Sequence, residues 1–395
     1  MASTSSLPGL SALLVLLLPL ALVAAQLPDG FQEERIATGL NPTTMTFAPD
    51  GRLFVLEKHG AVRLVVDGAL QAKPVLDLTG RVDPWGERGL LALILDPQFA
   101  RNGWFYLYYT AKEPKPHNRV SRFTLRGSVA DPASETVIIA LPELGQRSPF
   151  HIGGGIRFGR DGKLYVSTGD NGRGPSAQDP SSLMGKLLRL NLDGSVPKDQ
   201  PKLSGLLPQV VGLGFRNAWT MAVQPSTGLL YLIEAGQNYE EINRYDTAAA
   251  PLVVNYGWPG GAQGFDGPSQ GRTMTGLGTY REAELAYRTD KTCITGGDFY
   301  EPAKPGPGAF PASFRGRYLW CDYKGWIKSL DPAKPEQPEP FAVGIAGPTD
   351  LEVAPDGTVW YLARNGPLGG PAEKIMTVNA GELWRIRSTG SGARR

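Results

Sequence analysis

"GGIRFGRDGKLYVSTGD" spans residues 154–170, and its pattern recurs along the chain. An apolar strand, an Asp-Gly turn and a second strand rich in β-branched and aromatic residues form the signature of a hairpin. "TTMTFAPDGRLFVLEKHGAVRLV" (43–65), "GLLALILDPQFARNGWFYLYYT" (89–110), "WTMAVQPSTGLLYLIEAG" (219–236) and "PTDLEVAPDGTVWYLARN" (348–365) share the design, with Asp-Gly, Asn-Gly or Thr-Gly at the turn. A sixth, more divergent unit joins "TGGDFYEP" (295–302) to "GRYLWCDYKGWIKSLDP" (316–332). The units start 46 to 76 residues apart, enough for a four-stranded sheet with loops of variable size. Arranging such sheets around an axis leaves only short, protected edges, so the pattern predicts an all-β fold, a six-bladed β-propeller, with a large β-sandwich as the alternative. Helical periodicity is scarce, and 50 Gly with 34 Pro supply many turns and few long helices.

The 395 residues, 41% of them apolar, are ample for one long propeller domain. A net charge of +2 with mixed Lys, Arg, Asp and Glu leaves no basic stripe to track phosphates, which argues against nucleic acid as a partner. The apolar stretch Leu10–Val23 is short and interrupted by Pro19, and Ala24 and Ala25 precede Gln26. Residues 1–25 therefore read as a secretory signal, with an uncleaved anchor as the alternative. Residues 26–388 then form the propeller, and 389–395 a flexible tail. No later segment is apolar enough to span a membrane, so the mature chain is expected to be secreted or periplasmic. That compartment permits a bond between Cys293 and Cys321, but two cysteines make no framework, and free thiols are as well supported.

In a propeller the loops leading into the innermost strands converge on the axis. Here they carry "ERG" (87–89), "FHIGG" (150–154), "GFRNAW" (214–219) and "TCITGG" (292–297). His151 and Arg216 hold corresponding places in successive units. An imidazole accepts a proton near pH 7 and a guanidinium stabilises an anionic oxygen, a combination suited to deprotonating a hydroxyl. The bland reading of His151 is a hydrogen-bonded turn residue. Asp170 either orients the imidazole, accepts a substrate hydroxyl or simply forms a turn in "GDNG". Glu87 either grips sugar hydroxyls or pairs locally with Arg88. In "EAGQNYEEINRY" (234–245) and "NYGWP" (255–259), Glu240, Glu241 and Tyr256 offer the hard oxygen ligands that Ca²⁺ prefers, although paired loop acids are usually just solvated. His59 and His117 have no ligand spacing and are assigned no role. The chain has no zinc pattern, GxGxxG or Walker loop, and no GxSxG elbow, which disfavours Rossmann-type nicotinamide enzymes.

Taken in order, "NPTTMTFAPDG", "GERGLLALILDP", "HIGGGIRFGRDGKLYVSTGD", "MGKLLRLNLDGSVPKD", "GFRNAW", "EAGQNYEEIN", "NYGWP" and "DLEVAPDG" resemble the pyrroloquinoline-quinone (PQQ) dependent sugar dehydrogenases, also called glucose/sorbosone dehydrogenases. The resemblance covers nearly the whole mature chain and implies a six-bladed propeller. It implies that His151 is the base that takes the anomeric hydroxyl proton as hydride passes from the sugar to PQQ. Arg216 and Asn217 match a pair contacting the quinone oxygens, and Lys324 in "YKGWIKSL" matches a cofactor-contacting lysine. Asp170 and Glu87 fall on the substrate side. Gly236 and Gln237 match backbone donors to the Ca²⁺ that holds the cofactor, while Glu240, Glu241 and Tyr256 resemble a neighbouring calcium site. A cation against the quinone improves it as a hydride acceptor. Gly153, Gly154 and Gly155 are expected to let a flat cofactor approach the backbone. The chain departs from the family at "AGPTDL" (346–351), where basic residues for the cofactor carboxylates are absent. It departs again at Ala235, in a polar place, and at Phe150, where an acid often stands. The implied function is oxidation of an aldose or related polyol, with electrons passing to an external acceptor. A non-redox carbohydrate- or protein-binding propeller is the alternative. A calcium-dependent lactonase, which needs several acids at the axis, fits less well.

Overall fold

The hairpins close in one common register, which is why the repeat is visible in the sequence. Phe47 faces Leu53, Phe158 faces Leu164 and Val353 faces Val359, each across a turn ending in a glycine. Those glycines, Gly51, Gly162 and Gly357, take φ of +88°, +71° and +83°, a region closed to most side chains. The computed structural model describes residues 25–145, 148–259, 266–270, 273, 276–290, 293–365 and 379–390. The expected signal segment, apart from Ala25, and residues 391–395 of the expected tail lie outside the described residues.

Among the described residues the strands form six sheets. Their first strands are Pro42–Phe47, Leu90–Leu95, Gly153–Phe158, Ala218–Val223, Ile294–Phe299 and Pro348–Val353. Each touches the next around a ring, and the last touches the first. The chain is an all-β propeller. The final sheet runs from Phe31–Leu40 through Gly381–Ser388 and Val359–Ala363 to Pro348–Val353, so a strand from the start of the chain fastens onto its end, with Phe31 opposite Ser388.

Apolar side chains are buried between consecutive sheets rather than in one central core. Leu56, Leu90 and Tyr109 join the first sheet to the second, Ile156, Leu91 and Tyr106 the second to the third, and Met45, Leu362 and Leu383 the sixth back to the first. Each such side chain contributes about 1.5–3 kcal/mol on burial, so the ring is held by many similar seams. Two short strands, Val254–Asn255 and Thr279–Tyr280, extend the third sheet in parallel beyond the repeat. Among the described residues the only α-helix is the turn Phe99–Asn102, and no helix is long and apolar enough to cross a membrane. Cys293 and Cys321 are both free thiols.

Candidate active site

His151 sits just before the third sheet's first strand with φ of +57°, a left-handed conformation rare for a residue with a Cβ. Three interactions hold it there. Its N–H donates to Glu87 Oε2 at 2.7 Å, its carbonyl accepts from Asn171 N at 2.9 Å, and its ring Nδ1 meets Asp170 Oδ1 at 2.8 Å. Asp170, 1% exposed, also accepts from Gly172 N at 2.7 Å and from Trp258 Nε1 at 2.9 Å. With Nδ1–H donating to this fixed carboxylate, the Nε2 lone pair is left for the cavity that the imidazole lines. Asp170 lies behind the ring and does not line the cavity. Of the roles open to it, the geometry favours orienting the imidazole.

The cavity has a volume of about 430 Å³ and gathers residues from every part of the chain between Pro42 and Arg364. Glu87 lines it beside His151, and burial raises its pKa against the opposing pull of His151, Arg216 and Lys58. Arg216 is pinned by its own N–H to Glu234 Oε1 at 2.6 Å, and its Nη1 donates to the carbonyls of Ala235 and Gly236, both at 2.8 Å. Asn217 accepts from Gly153 N at 2.9 Å and donates to Glu87 at 3.3 Å. Thus His151, Arg216, Asn217, Glu87, Gly236, Gln237 and Glu240 surround one cavity.

Lys324, Glu241 and Tyr256 do not line it. Lys324, half exposed, pairs with Asp290 instead. Glu240 and Glu241 are neighbours on Tyr239–Asp246, so their side chains point to opposite faces. Glu240 faces the cavity, where burial pushes its pKa up to about 8. Glu241 lies across from Glu234, with Asn243 Nδ2 donating to both carboxylates, and burial raises its pKa to about 7. Tyr256 donates its hydroxyl to the Arg244 carbonyl at 2.8 Å. No group of three His, Cys, Asp or Glu suited to a metal occurs among the described residues. A dication on the Gly236 oxygen meets the guanidinium already bonded to it, so Gly236 as folded does not fit calcium.

The glycines at 153–155 serve packing rather than a cofactor. A Cβ on Gly153 falls 2.5 Å from Gly169 N, and one on Gly155 falls 2.7 Å from Ser167 Oγ, both within the same hairpin. The cavity nevertheless suits a polar occupant. On its wall Glu240 Oε1, Trp219 Nε1 and Thr349 Oγ1 are buried and have no hydrogen-bond partner. A buried polar atom left so costs about 1–3 kcal/mol, which a ligand with matching groups recovers.

A family model described as Glucose / Sorbosone dehydrogenase matches residues 40–303. The chain belongs to this family. It is similar to Quinoprotein glucose dehydrogenase B of Acinetobacter calcoaceticus, 30% identical over 264 residues that make up 58% of this chain and 53% of that protein. Aldose sugar dehydrogenase YliI of Escherichia coli (strain K12) is 30% identical over 281 residues, 67% of this chain and 71% of that protein. The chain therefore spans about half the length of the Acinetobacter relative. A solved structure of an oxidoreductase described as a glucose dehydrogenase, from Thermus thermophilus, superposes with a TM-score of 0.70 at 26% identity, covering 90% of this chain and 100% of that one.

In this member of the family the cavity holds cations that the motif reading passes over. Lys58 and Arg364 line it, as does Tyr323. All three occupy one repeat position, just past the second strand. There the backbone N–H bonds the loop leading into the same sheet: Lys58 to Asn41 O, Tyr323 to Cys293 O and Arg364 to Gly347 O. Aligning "LEKHG", "CDYKG" and "LARNG" at this position finds them, and shows why Lys324, one residue further on, faces away.

Proposed function

We propose that this chain is a PQQ-dependent oxidoreductase acting on the hydroxyl carbon of an aldose or related polyol, with its six sheets as six blades around the site. The observation that carries this reading is the Asp170–His151 pair presenting Nε2 to a cavity that also exposes Arg216 and Asn217. The names of the Acinetobacter and Escherichia relatives agree with it.

When bound, PQQ supplies the two-electron acceptor. His151 Nε2 takes the hydroxyl proton, and Asp170 holds the ring and stabilises the imidazolium that forms. As that proton leaves, the hydroxyl carbon gives up hydride and becomes a carbonyl, a lactone in the case of an aldose. Glu87 receives substrate hydroxyls beside His151, and the Arg216 guanidinium lies where an anionic oxygen gains most. Phe150, next to His151 on the cavity wall, offers the substrate an apolar face. Electrons then leave to an external acceptor. On resemblance alone we retain calcium near Gln237 and Glu240, the two of its expected neighbours that line the cavity and are not taken by Arg216. We place the mature protein, residues 26–388 with a short tail, outside the cytoplasm after removal of residues 1–25.

The test is reconstitution of the purified chain with PQQ and Ca²⁺, followed by dye reduction with a panel of sugars. Turnover should fall about 10²–10⁴-fold in His151→Ala, the usual worth of a positioned base. Turnover unchanged by that substitution removes His151 as base. Absence of PQQ binding to the wild-type chain removes the redox reading and leaves a carbohydrate- or protein-binding propeller.

A further inference from the structure

The segment expected to carry the cofactor's basic partners, "AGPTDL" (346–351), has none. Two cations nevertheless stand in the same part of the cavity wall. Lys58 and Arg364 come from the first and sixth sheets, whose first strands touch. Lys58 is 1% exposed, and its Nζ donates to the carbonyls of Gly86, at 2.5 Å, and Arg88. An ammonium has three N–H donors, so one is left for the cavity.

Two like charges held together away from water oppose each other unless an anion joins them. The effect is visible here: burial, with the Arg364 charge acting in the same direction, lowers the Lys58 pKa to about 7, while Glu87 and Asp83 pull the other way. Burial also lowers the pKa of Arg364. With Arg216, the wall carries three Lys and Arg side chains, beside His151, against the carboxyls of Glu87 and Glu240. An arrangement that disfavours its own charges is relieved by a ligand carboxylate, with charge-assisted hydrogen bonds.

We propose that Lys58 and Arg364 form a carboxylate-binding wall in the cavity, doing from two strand ends what residues 346–351 lack the charge to do. The identity of the occupant as PQQ, a tricarboxylate, rests on the reading above; the anion-binding wall does not.

The test is calorimetric titration of the full-length wild-type chain with PQQ and, separately, with isophthalate, a flat dicarboxylate without a quinone. Both should bind, and Arg364→Gln should weaken both about ten- to hundredfold, as expected for loss of a charged hydrogen bond. Arg364→Lys should recover part of the loss. Lys58→Met should weaken binding similarly; if it unfolds because the Gly86 and Arg88 carbonyls lose their donor, the Arg364 variants decide alone. Wild-type affinity in Arg364→Gln and in folded Lys58→Met overturns the wall while leaving the quinone reading intact. Binding of isophthalate but not PQQ, lost in Arg364→Gln, keeps the wall and removes the quinone. Binding of neither ligand to the wild-type chain overturns both.

Discussion

At the scale of single residues, the decisive contact is the one between His151 Nδ1 and Asp170. Three donors converge on that carboxylate, so it is fixed from behind by Gly172 and Trp258 while it fixes the imidazole in front. Asp170→Asn keeps the volume but offers its ring partner an amide, which lets the wrong tautomer form. Turnover should drop on the order of 10²-fold, a loss typical of a slightly misplaced catalytic group, with KM little changed because Asp170 is not on the cavity wall. Steady-state kinetics of the variant separate this from a substrate-binding role, in which KM rises and kcat holds. A second residue reports on occupancy. Cys293 lines the cavity, whereas Cys321 is fully buried, in contact with Thr295, and burial pushes its pKa up to about 12. A small alkylating reagent should therefore modify Cys293 alone in the native protein, slowly because burial raises that thiol's pKa too, and a bound cavity ligand should protect it. Mass spectrometry with and without PQQ checks both points, and equal labelling of the two cysteines contradicts the placement.

At the scale of elements, the third-sheet hairpin shows how tightly strand packing and site are joined. Gly169 follows the second strand and lies against the turn that holds His151, so a Cβ there falls 2.1 Å from the His151 carbonyl oxygen. Gly169→Ala should cost about 1–3 kcal/mol, the usual penalty of overpacking, and should lower turnover by moving the imidazole. Denaturant unfolding and dye reduction on the same preparation measure the two effects, and a variant of unchanged stability contradicts the packing. The same hairpin explains what could be read from the sequence. Turn glycines and alternating apolar residues are local signals, so the propeller class and the positions of His151 and Arg216 at strand starts were legible. The glycines at 153–155 were misread because what they touch, such as Ser167 and Trp219, lies on other strands. Lys58 and Arg364 stayed hidden for a different reason: their motifs look like ordinary strand ends until the repeats are aligned at the residue after the second strand. The Glu240–Glu241 pair looked like one ligand set because adjacency in sequence hides the alternation of faces along a strand.

At the scale of the whole molecule, the ring brings charges from separate blades into one buried group. Arg157 on the third sheet's first strand reaches Glu352 on the sixth at 3.2 Å. Asp350 Oδ2 accepts from Met45 N at 2.7 Å, and Asp298 Oδ2 accepts from Val353 N at 3.0 Å. Three carboxyls thus share one guanidinium, and burial raises the pKa of each, Asp350 to about 7 from an ordinary 3.8. Mutual repulsion adds to the rise, while Arg157 and the backbone donors oppose it. A carboxyl with a raised pKa holds its proton more firmly folded than unfolded. Its contribution to stability is therefore complete below pH 3.8 and is lost as pH rises through about 7. The slope for one such group reaches at most about 1.4 kcal/mol per pH unit. Asp350→Asn leaves an oxygen to accept from Met45 and removes the titration. Its stability should match the wild type below about pH 4, pull ahead as pH rises from there to about 7 and stay ahead near pH 8, with a flatter dependence between. Thermal melts of both proteins at four pH values across that range measure the difference, and parallel curves show that Asp350 stays ionised against Arg157 throughout.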